Sequence, residues 1–566
     1  MIVLTNLLRN TFYGFLMLID ILFLAAVWFM IQITIKIPSP VDTTIMNRQR
    51  KEVAADFYTL HPNWIKKSET GLWEMYVEGN GFERGVIEGK LNKELAEKQE
   101  IAFVHQIQKM IPSQSVLHYL KFFISFFNRN LDQYITEEYK EEIYGESLYA
   151  SDQFDFIAPK YYRMLNYHAA HDIGHALQDK NMIVGCTSFG VWGSKSSDST
   201  LLIGRNFDFY VGDEFAEDKL INFIKPKNGY KLMMISWAGM IGTVSGMNEK
   251  GLTVTINAAK SEIPASAATP ISLVAREILQ YAKNIDEATN IAKKRKTFVS
   301  ESILIGSLAD NRTATIEKTP SRTELLEAGQ EEYSICANHY QGKAFLNDAI
   351  NKENIVKSSS DYRLKHLTEL IREQPVITIE KAARILRNQK GLNDKNIGMG
   401  NEKALNQLIA HHSVIFKPAK LQVWVSTNPF QLGAYICYDL NHVFKSAPGL
   451  DEKKELYEKE LTIPADPFLN SPEYRKFNAY KQMCEAFHFA HAHKLYYELN
   501  EKTIADFINC NPEYFETYVL LGIYFNDQHQ KERARNYFTK ALTKEITTVQ
   551  DREAIEEMIA ELGNLK

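Results

Sequence analysis

Cysteine is scarce in this chain. There are five in 566 residues, at Cys186, Cys336, Cys437, Cys484 and Cys510. The number is odd and no two are spaced as CxxC, which argues against a disulfide framework and against a zinc site. A basic excess is also missing. Lys and Arg total 65 against 70 Asp and Glu, a formal net charge of −5. No basic stripe with interleaved aromatics appears, so no nucleic-acid partner is expected. Neither a metal nor a cofactor is expected. The rest of the composition is that of a globular protein, 45% hydrophobic and 24% charged. At roughly 100–200 residues per domain the length allows about three or four units.

Charge is nearly absent from one run. Thr11 to Ile37, "TFYGFLMLIDILFLAAVWFMIQITIKI", carries only Asp20 and Lys36. About 20 such residues span a bilayer. The run is longer than a signal-peptide core, and no small-x-small cleavage site follows it. Residues 1–40 are therefore read as a membrane anchor. Arg9 precedes the run, while Lys36, Arg48, Arg50 and Lys51 follow it, so the positive-inside count is ambiguous and specifies orientation only weakly. An extracytoplasmic catalytic domain is the favoured placement. Asp20 would be costly facing lipid.

Beyond the linker "IPSPVD" the texture changes twice. Residues 41–185 read as a helical prosegment, with charged and apolar residues mixed at helical spacing. After Gly185 come short β-rich runs such as "TLLIGRNF", "LTVTINA", "SILIGSL", "YSICAN" and "LQVWVS", bounded by Gly, Asn, Asp and Pro. Two segments interrupt them as predicted helices, "ISLVAREILQYAKNIDEATNIAKKR" and "SDYRLKHLTELIREQ". This grouping predicts layered α and β rather than a βαβ array. Residues 186–450 form the predicted catalytic domain, ahead of a Pro/Gly-marked boundary at 450–465. Residues 466–566 read as helical again. Tyr518, Leu521, Gly522 and Phe525, then Ala534, Phe538 and Ala541, match the tetratricopeptide pattern of aromatics and small residues. Such a tail is a candidate site for a protein partner. A helical hairpin packed on the main domain is the competing reading.

Cys186 stands in "IVGCTSFG", and Arg205-Asn206-Phe207-Asp208 follows after a strand-like run. A thiol nucleophile needs a base or a lowered pKa. His339, His411 and His412 are candidate bases, but the papain local signature is absent. Another arrangement needs no histidine. If the Gly185–Cys186 bond is cut, the new α-amine, with an ordinary pKa near 8, can take the thiol proton. Gly185 suits such a cut, because a residue without a side chain lets a strained carbonyl lie within reach of the thiol.

"GCTSFG" followed by "GRNFDF" resembles the N-terminal-nucleophile hydrolases of the acyl-CoA:6-aminopenicillanic-acid acyltransferase type, relatives of choloylglycine hydrolase and acid ceramidase. The resemblance implies an α+β fold of four layers, αββα, and a catalytic cysteine at Cys186. It implies that Asp208 holds the cysteine amine and that Arg205 supports the site electrostatically. "SGMNEKGLTVTIN" is similar to the family's turn and following strand, which puts an active-site asparagine at Asn257. "YSICANHY" puts a second at Asn338, and "SSSDYRLKHL" puts a second arginine at Arg363. "GNGFERGVIEG" (Gly79–Gly89) resembles an upstream motif of the acyltransferase branch, and "SVIFKPAKLQVWVST" a strand pair near the domain's end. The implied activity is cleavage of a linear amide bond in a small N-acyl substrate, through an acyl-thioester, after self-cleavage at Gly185–Cys186. Water or an acceptor amine would complete it.

Three alternatives stay open. His168, His171 and His175 in "HAAHDIGHALQD" place two histidines at metal-ligand spacing, but no HExxH glutamate accompanies them, and a packed helix face is favoured. A conventional thiol hydrolase would use His339 or His412 as base. A membrane-anchored scaffold with an inert hydrolase fold would bind partners through its tail.

Overall fold

The computed structural model describes residues 2–111, 113–177, 185–262, 268–495 and 498–563. Among these are seventeen strands in two sheets. Four precede Cys186: β1 (Lys51–Ala54), β2 (Phe57–Leu60), β3 (Asn63–Lys67) and β4 (Trp73–Gly79). Next come β5 (Thr187–Gly193), β6 (Ser199–Phe207), β7 (Leu220–Pro226), β8 (Leu232–Ser236), β9 (Ser245–Asn248) and β10 (Leu252–Ala258). The last seven are β11 (Glu301–Ser307), β12 (Arg312–Lys318), β13 (Thr323–Glu327), β14 (Tyr333–Cys336), β15 (His412–Lys417), β16 (Gln422–Ser426) and β17 (Tyr435–Asp439). The larger sheet has eleven strands in the order β1-β2-β3-β4-β7-β8-β9-β10-β11-β12-β13. The smaller has six, in the order β14-β5-β6-β15-β16-β17.

Alternation along single strands explains how the sheets stack. In β6, Leu201 and Ile203 enter the core shared by both sheets, with Phe223, Met233, Leu304, Val414 and Val425. Leu202 points the other way, into a core with Leu367, Ile371, Ala383 and Leu386 of the helices Ser360–Glu373 and Ile379–Leu386. On the larger sheet, Val254 and Ile256 of β10 pack with Leu273, Ile278 and Leu279 of the helix Ile271–Tyr281. The intervening Thr255 and Asn257 reach Ser188 on the other sheet. The order is therefore helix, sheet, sheet, helix, as side chains alternating across each strand require.

Two sequence expectations are corrected. Residues 41–185 are not wholly helical, because β1 to β4 lie within them. β3 and β4 are short and buried over most of their length, so they lack the polar-apolar alternation that marks a one-sided strand. β4 pairs in parallel with β7, from Trp73↔Leu220 to Gly79↔Pro226. The segment before Cys186 is thus part of the larger sheet. The long helix expected over 271–295 is also two helices, Ile271–Tyr281 and Ile285–Lys294. Asn284 caps the second by accepting from the Glu287 backbone N–H at 2.8 Å.

"GNGFERGVIEG" forms the helix Gly81–Leu91 with Asn80 as its cap. It crosses the helix Glu137–Ser147 at very short range. A Cβ on Gly85 would lie 1.9 Å from the Glu142 carbonyl oxygen, and one on Gly81 2.2 Å from that of Glu138. This approach brings buried Arg84 onto Glu142 and Glu138.

The helix Ile2–Gln32 is the one described helix long and apolar enough to cross a membrane, over Thr11–Gln32. The chain beyond it docks at once: the Ile35 N–H donates to the Tyr162 hydroxyl, which donates to the Ile35 carbonyl, both at 2.9 Å. Among the described residues the tail forms five α-helices, from Pro472–Ala492 to Val549–Glu561. Gly522 lies against the Phe538 ring, and Tyr518, Leu521, Phe525, Ala534 and Ala541 are buried around them. The tail is tied to the main body: Asn511 exchanges hydrogen bonds with the Met399 backbone, and Glu545 pairs with Lys395 and Lys403.

The helix crossing at Gly85 gives a test. Gly85→Leu on a Cys186→Ala background is expected to lower the melting temperature, because overpacking costs about 1–3 kcal/mol and here the obstacle is backbone. An unchanged melting curve would contradict the close approach.

Candidate functional site

β5 and β6 are antiparallel neighbours, and Cys186 lies one residue before β5. It is 1% exposed. Arg205, an inward residue of β6, donates from Nη2 towards the Cys186 Sγ at 3.7 Å. Its other donations go to the Val244 carbonyl at 2.8 Å, the Ser245 hydroxyl and the Ile256 carbonyl. The guanidinium also stands 4.4 Å above the Phe207 ring.

Arg363 is the most connected group here. It projects from the helix Ser360–Glu373. Its Nη1 donates to the Gly185 carbonyl at 2.8 Å, the Cys186 carbonyl at 2.7 Å and the Thr187 hydroxyl at 2.9 Å. Its Nη2 donates to Asn338 Oδ1 at 2.7 Å. Asn338 in turn donates to the Ala258 carbonyl at 2.9 Å. Asn257 accepts from the Ser188 hydroxyl at 2.9 Å and donates to the Cys336 carbonyl at 3.1 Å. The two asparagine amides therefore bridge the sheets beside the junction, and both donate to backbone carbonyls.

Asp208 follows the last residue of β6. Its backbone carbonyl accepts from the Gly185 N–H at 3.0 Å. Its carboxylate oxygens are fully buried and have no hydrogen-bond partner among the described residues. Burial pushes this carboxyl up to about 7, with Arg363 and Arg205 pulling it back. Burial also pushes the Cys186 thiol up to about 11, against the pull of Arg205. Cys186 is thus held as a neutral thiol, and the Asp208 carboxyl has no hydrogen-bond donor among the described residues.

The structure therefore brings Arg205, Asp208 and Arg363 directly onto Gly185–Cys186, with Asn338 one hydrogen bond further out through Arg363 and Asn257 bonded to Ser188, two residues along the chain. It also supplies a residue that the sequence reading passed over. Gln407 Nε2 donates to the Gly185 carbonyl at 2.9 Å. Gln407 sits in an irregular stretch before β15, where neither periodicity nor a motif marks it. A Cβ on Gly185 would lie 2.2 Å from Gln407 Nε2, so room for this amide is a second reason for glycine at 185.

The histidines are engaged elsewhere. His339 Nδ1 bonds the Ser360 hydroxyl at 2.7 Å. His412 bonds Ser245 at 2.8 Å and His411 at 2.9 Å. Burial pushes His339 down to about 4 and lowers His412 as well. His168 donates from Nδ1 to the Met164 carbonyl and accepts the Ile241 N–H at Nε2, which is a packed neutral imidazole. The side chains of His171 and His175 lie outside the described residues. No group of three potential metal ligands occurs among the described residues.

Residues 194–429 match the family model of the acyl-coenzyme A:6-aminopenicillanic acid acyl-transferases. The resemblance read from the motifs is borne out by this match. It spans Arg205, Asp208, Asn257, Asn338, Arg363 and Gln407, and it begins beyond Gly185 and Cys186. An uncharacterised protein of Archaeoglobus fulgidus is 23% identical over 399 residues, which cover 64% of this chain and 64% of that protein. Similar solved structures include a Caenorhabditis elegans ortholog of N-acylethanolamine-hydrolyzing acid amidase, 15% identical with a TM-score of 0.31, covering 41% of this chain and 93% of that one. A conjugated bile acid hydrolase from Clostridium perfringens is 14% identical with a TM-score of 0.32, over 48% and 97% of the two chains. Penicillin V acylase from Agrobacterium tumefaciens is 14% identical with a TM-score of 0.31, over 48% and 89%.

The Asp208 shift has a testable sign. With a folded value near 7 and an ordinary value of 3.8, the unfolded chain ionises first. Stability therefore falls as pH rises from about 4 to 7 and stays lowered above that. On the Cys186→Ala background, the melting-temperature advantage of Asp208→Asn is expected to widen from pH 4 to pH 8. A gap that stays constant would contradict an unpartnered buried carboxyl.

Proposed function

We propose that this chain is a cysteine N-terminal-nucleophile enzyme that cuts itself between Gly185 and Cys186 and then attacks a linear amide bond in a small N-acyl substrate. The family match supports amide hydrolysis or acyl transfer. The observation that carries the finer reading is the junction itself. The Gly185 carbonyl is held by buried donors, and an unpartnered Asp208 carboxylate lies beside the thiol.

After the cut, the α-amine of Cys186 gives Asp208 the hydrogen-bond donor it lacks. An amine beside the thiol serves as the base, and Arg205 favours the thiolate. Sγ then attacks the substrate carbonyl, the amine portion leaves with the proton, and an acyl-thioester remains on Cys186. Asn257 and Asn338 support the developing oxyanion, each through the amide hydrogen it does not use in the uncut chain. Water or an amine then takes the acyl group. The β4–β7 ladder retains the anchor-bearing segment without a covalent link.

In this reading residues 41–185, 186–450 and 466–566 act as prosegment, catalytic domain and tail. The helix Ile2–Gln32 anchors the protein to a membrane, with the catalytic domain on the extracytoplasmic side. The TPR-like tail offers its outer face to a protein partner.

The test is to incubate the full-length protein with a series of N-acyl p-nitroanilides and to measure anilide release and the mass of the catalytic chain. An acyl adduct on a peptide beginning at Cys186 is expected, and Cys186→Ala should lose both the adduct and at least about 10³-fold of turnover. Turnover that survives Cys186→Ala would sink this reading. Absence of any turnover, with any acyl group, would favour the scaffold alternative. A second test concerns the anchor. Removing residues 1–33 leaves the Ile35–Tyr162 contact and should release the protein from membranes without changing the cut. Continued membrane retention would contradict anchoring by this helix.

A further inference from the structure

Two buried donors converge on one carbonyl oxygen, that of Gly185: Arg363 Nη1 at 2.8 Å and Gln407 Nε2 at 2.9 Å. Both side chains are at most 1% exposed. Preorganised donors in a water-excluded site are what stabilise a negative oxygen during attack on a carbonyl. Gln407 is firmly set. The Leu405 carbonyl next to it accepts from Asn206 Nδ2 at 2.9 Å. Asn406 donates its N–H to the Asn388 carbonyl at 2.8 Å and caps the Leu408 N–H at 3.0 Å. Leu405 and Leu408 are buried on either side. The C-terminal tail grips the same stretch at Lys395, Met399, Asn401 and Lys403.

We infer that Gln407 is a catalytic residue of the Gly185–Cys186 cut, forming with Arg363 the oxyanion site of that reaction. The inference rests on the proposed cut. Cys186 Sγ bonds to the Gly185 carbonyl carbon, and the carbonyl π pair moves onto the oxygen between Arg363 and Gln407. The oxygen's pair returns, the Gly185 C–N bond breaks, and the thiol proton ends on the Cys186 nitrogen. A thioester joins Gly185 to Sγ. Water then adds to the same carbon, which places negative charge on an oxygen facing the same two donors. Sγ leaves and regains a proton. The products are a carboxylate at Gly185 and a free amine and thiol at Cys186. Gly185 thus serves twice: it carries the attacked carbonyl, and its missing side chain admits the amide that polarises it.

The experiment follows the cut over time by intact mass, on full-length wild type, Gln407→Ala and Gln407→Glu, with melting curves taken on each variant in the Cys186→Ala background. Gln407→Glu keeps the shape and removes the donor, so it decides the matter if the alanine variant fails to fold. Wild type is expected to be cut, and both variants to be slowed by about 10²–10³-fold with melting temperatures close to the reference. Variants cut at the wild-type rate would overturn the role of Gln407 and leave the cut standing. A wild type that never cuts would overturn the cut and this inference with it.

Discussion

A single guanidinium fixes the geometry on which the rest depends. Arg363 holds the carbonyls of Gly185 and Cys186, the Thr187 hydroxyl and Asn338. A full positive charge buried to 1% exposure is costly unless its donors are satisfied and an opposite charge lies near. Carbonyls satisfy several of its donors, and Asp208 supplies the charge. The Asp208 carboxylate accepts no hydrogen bond among the described residues, so the arrangement is stable but incomplete. What it lacks is a donor to the Asp208 carboxylate, and in the proposed function the freed Cys186 amine supplies it. An amide nitrogen has one hydrogen, whereas a free ammonium has three.

The segment before the junction is bound into the fold far more tightly than a removable leader needs. It contributes β1 to β4 and, through β4–β7, a parallel ladder of seven paired positions. Its helices Gly81–Leu91 and Glu137–Ser147 meet at glycine distance and bury Glu88 and Glu146, whose carboxyls burial raises well above the ordinary range. Residues from both sides of Gly185–Cys186 thus share one core, as in Ile143, Leu165, Phe209 and Ile256. A cut at Gly185 would make a terminus without making a separate body.

Much of this was legible in the sequence. β6, β10 and β14 were readable because each carries an apolar run followed by a polar residue, Arg205, Asn257 or the Asn338 just beyond. Arg363 was readable only through resemblance, since an arginine on a helix ordinarily points to solvent. β3 and β4 were missed because short strands buried over most of their length lack alternation, and β1 and β2 because four residues each are too few to show a period. Gln407 was missed for a different reason. It lies in irregular chain, 222 residues from its hydrogen-bond partner, and no local pattern carries that information.

The central claim is that Cys186 becomes a chain terminus. 2-Cyanobenzothiazole condenses with a cysteine that has both a free α-amine and a free thiol, and not with an internal one. Treatment of full-length protein, followed by mass analysis under denaturing conditions, reads this directly. The account expects a labelled chain running from Cys186 to the C-terminus, alongside an unlabelled chain ending at Gly185. A single unlabelled chain in catalytically active protein would contradict it.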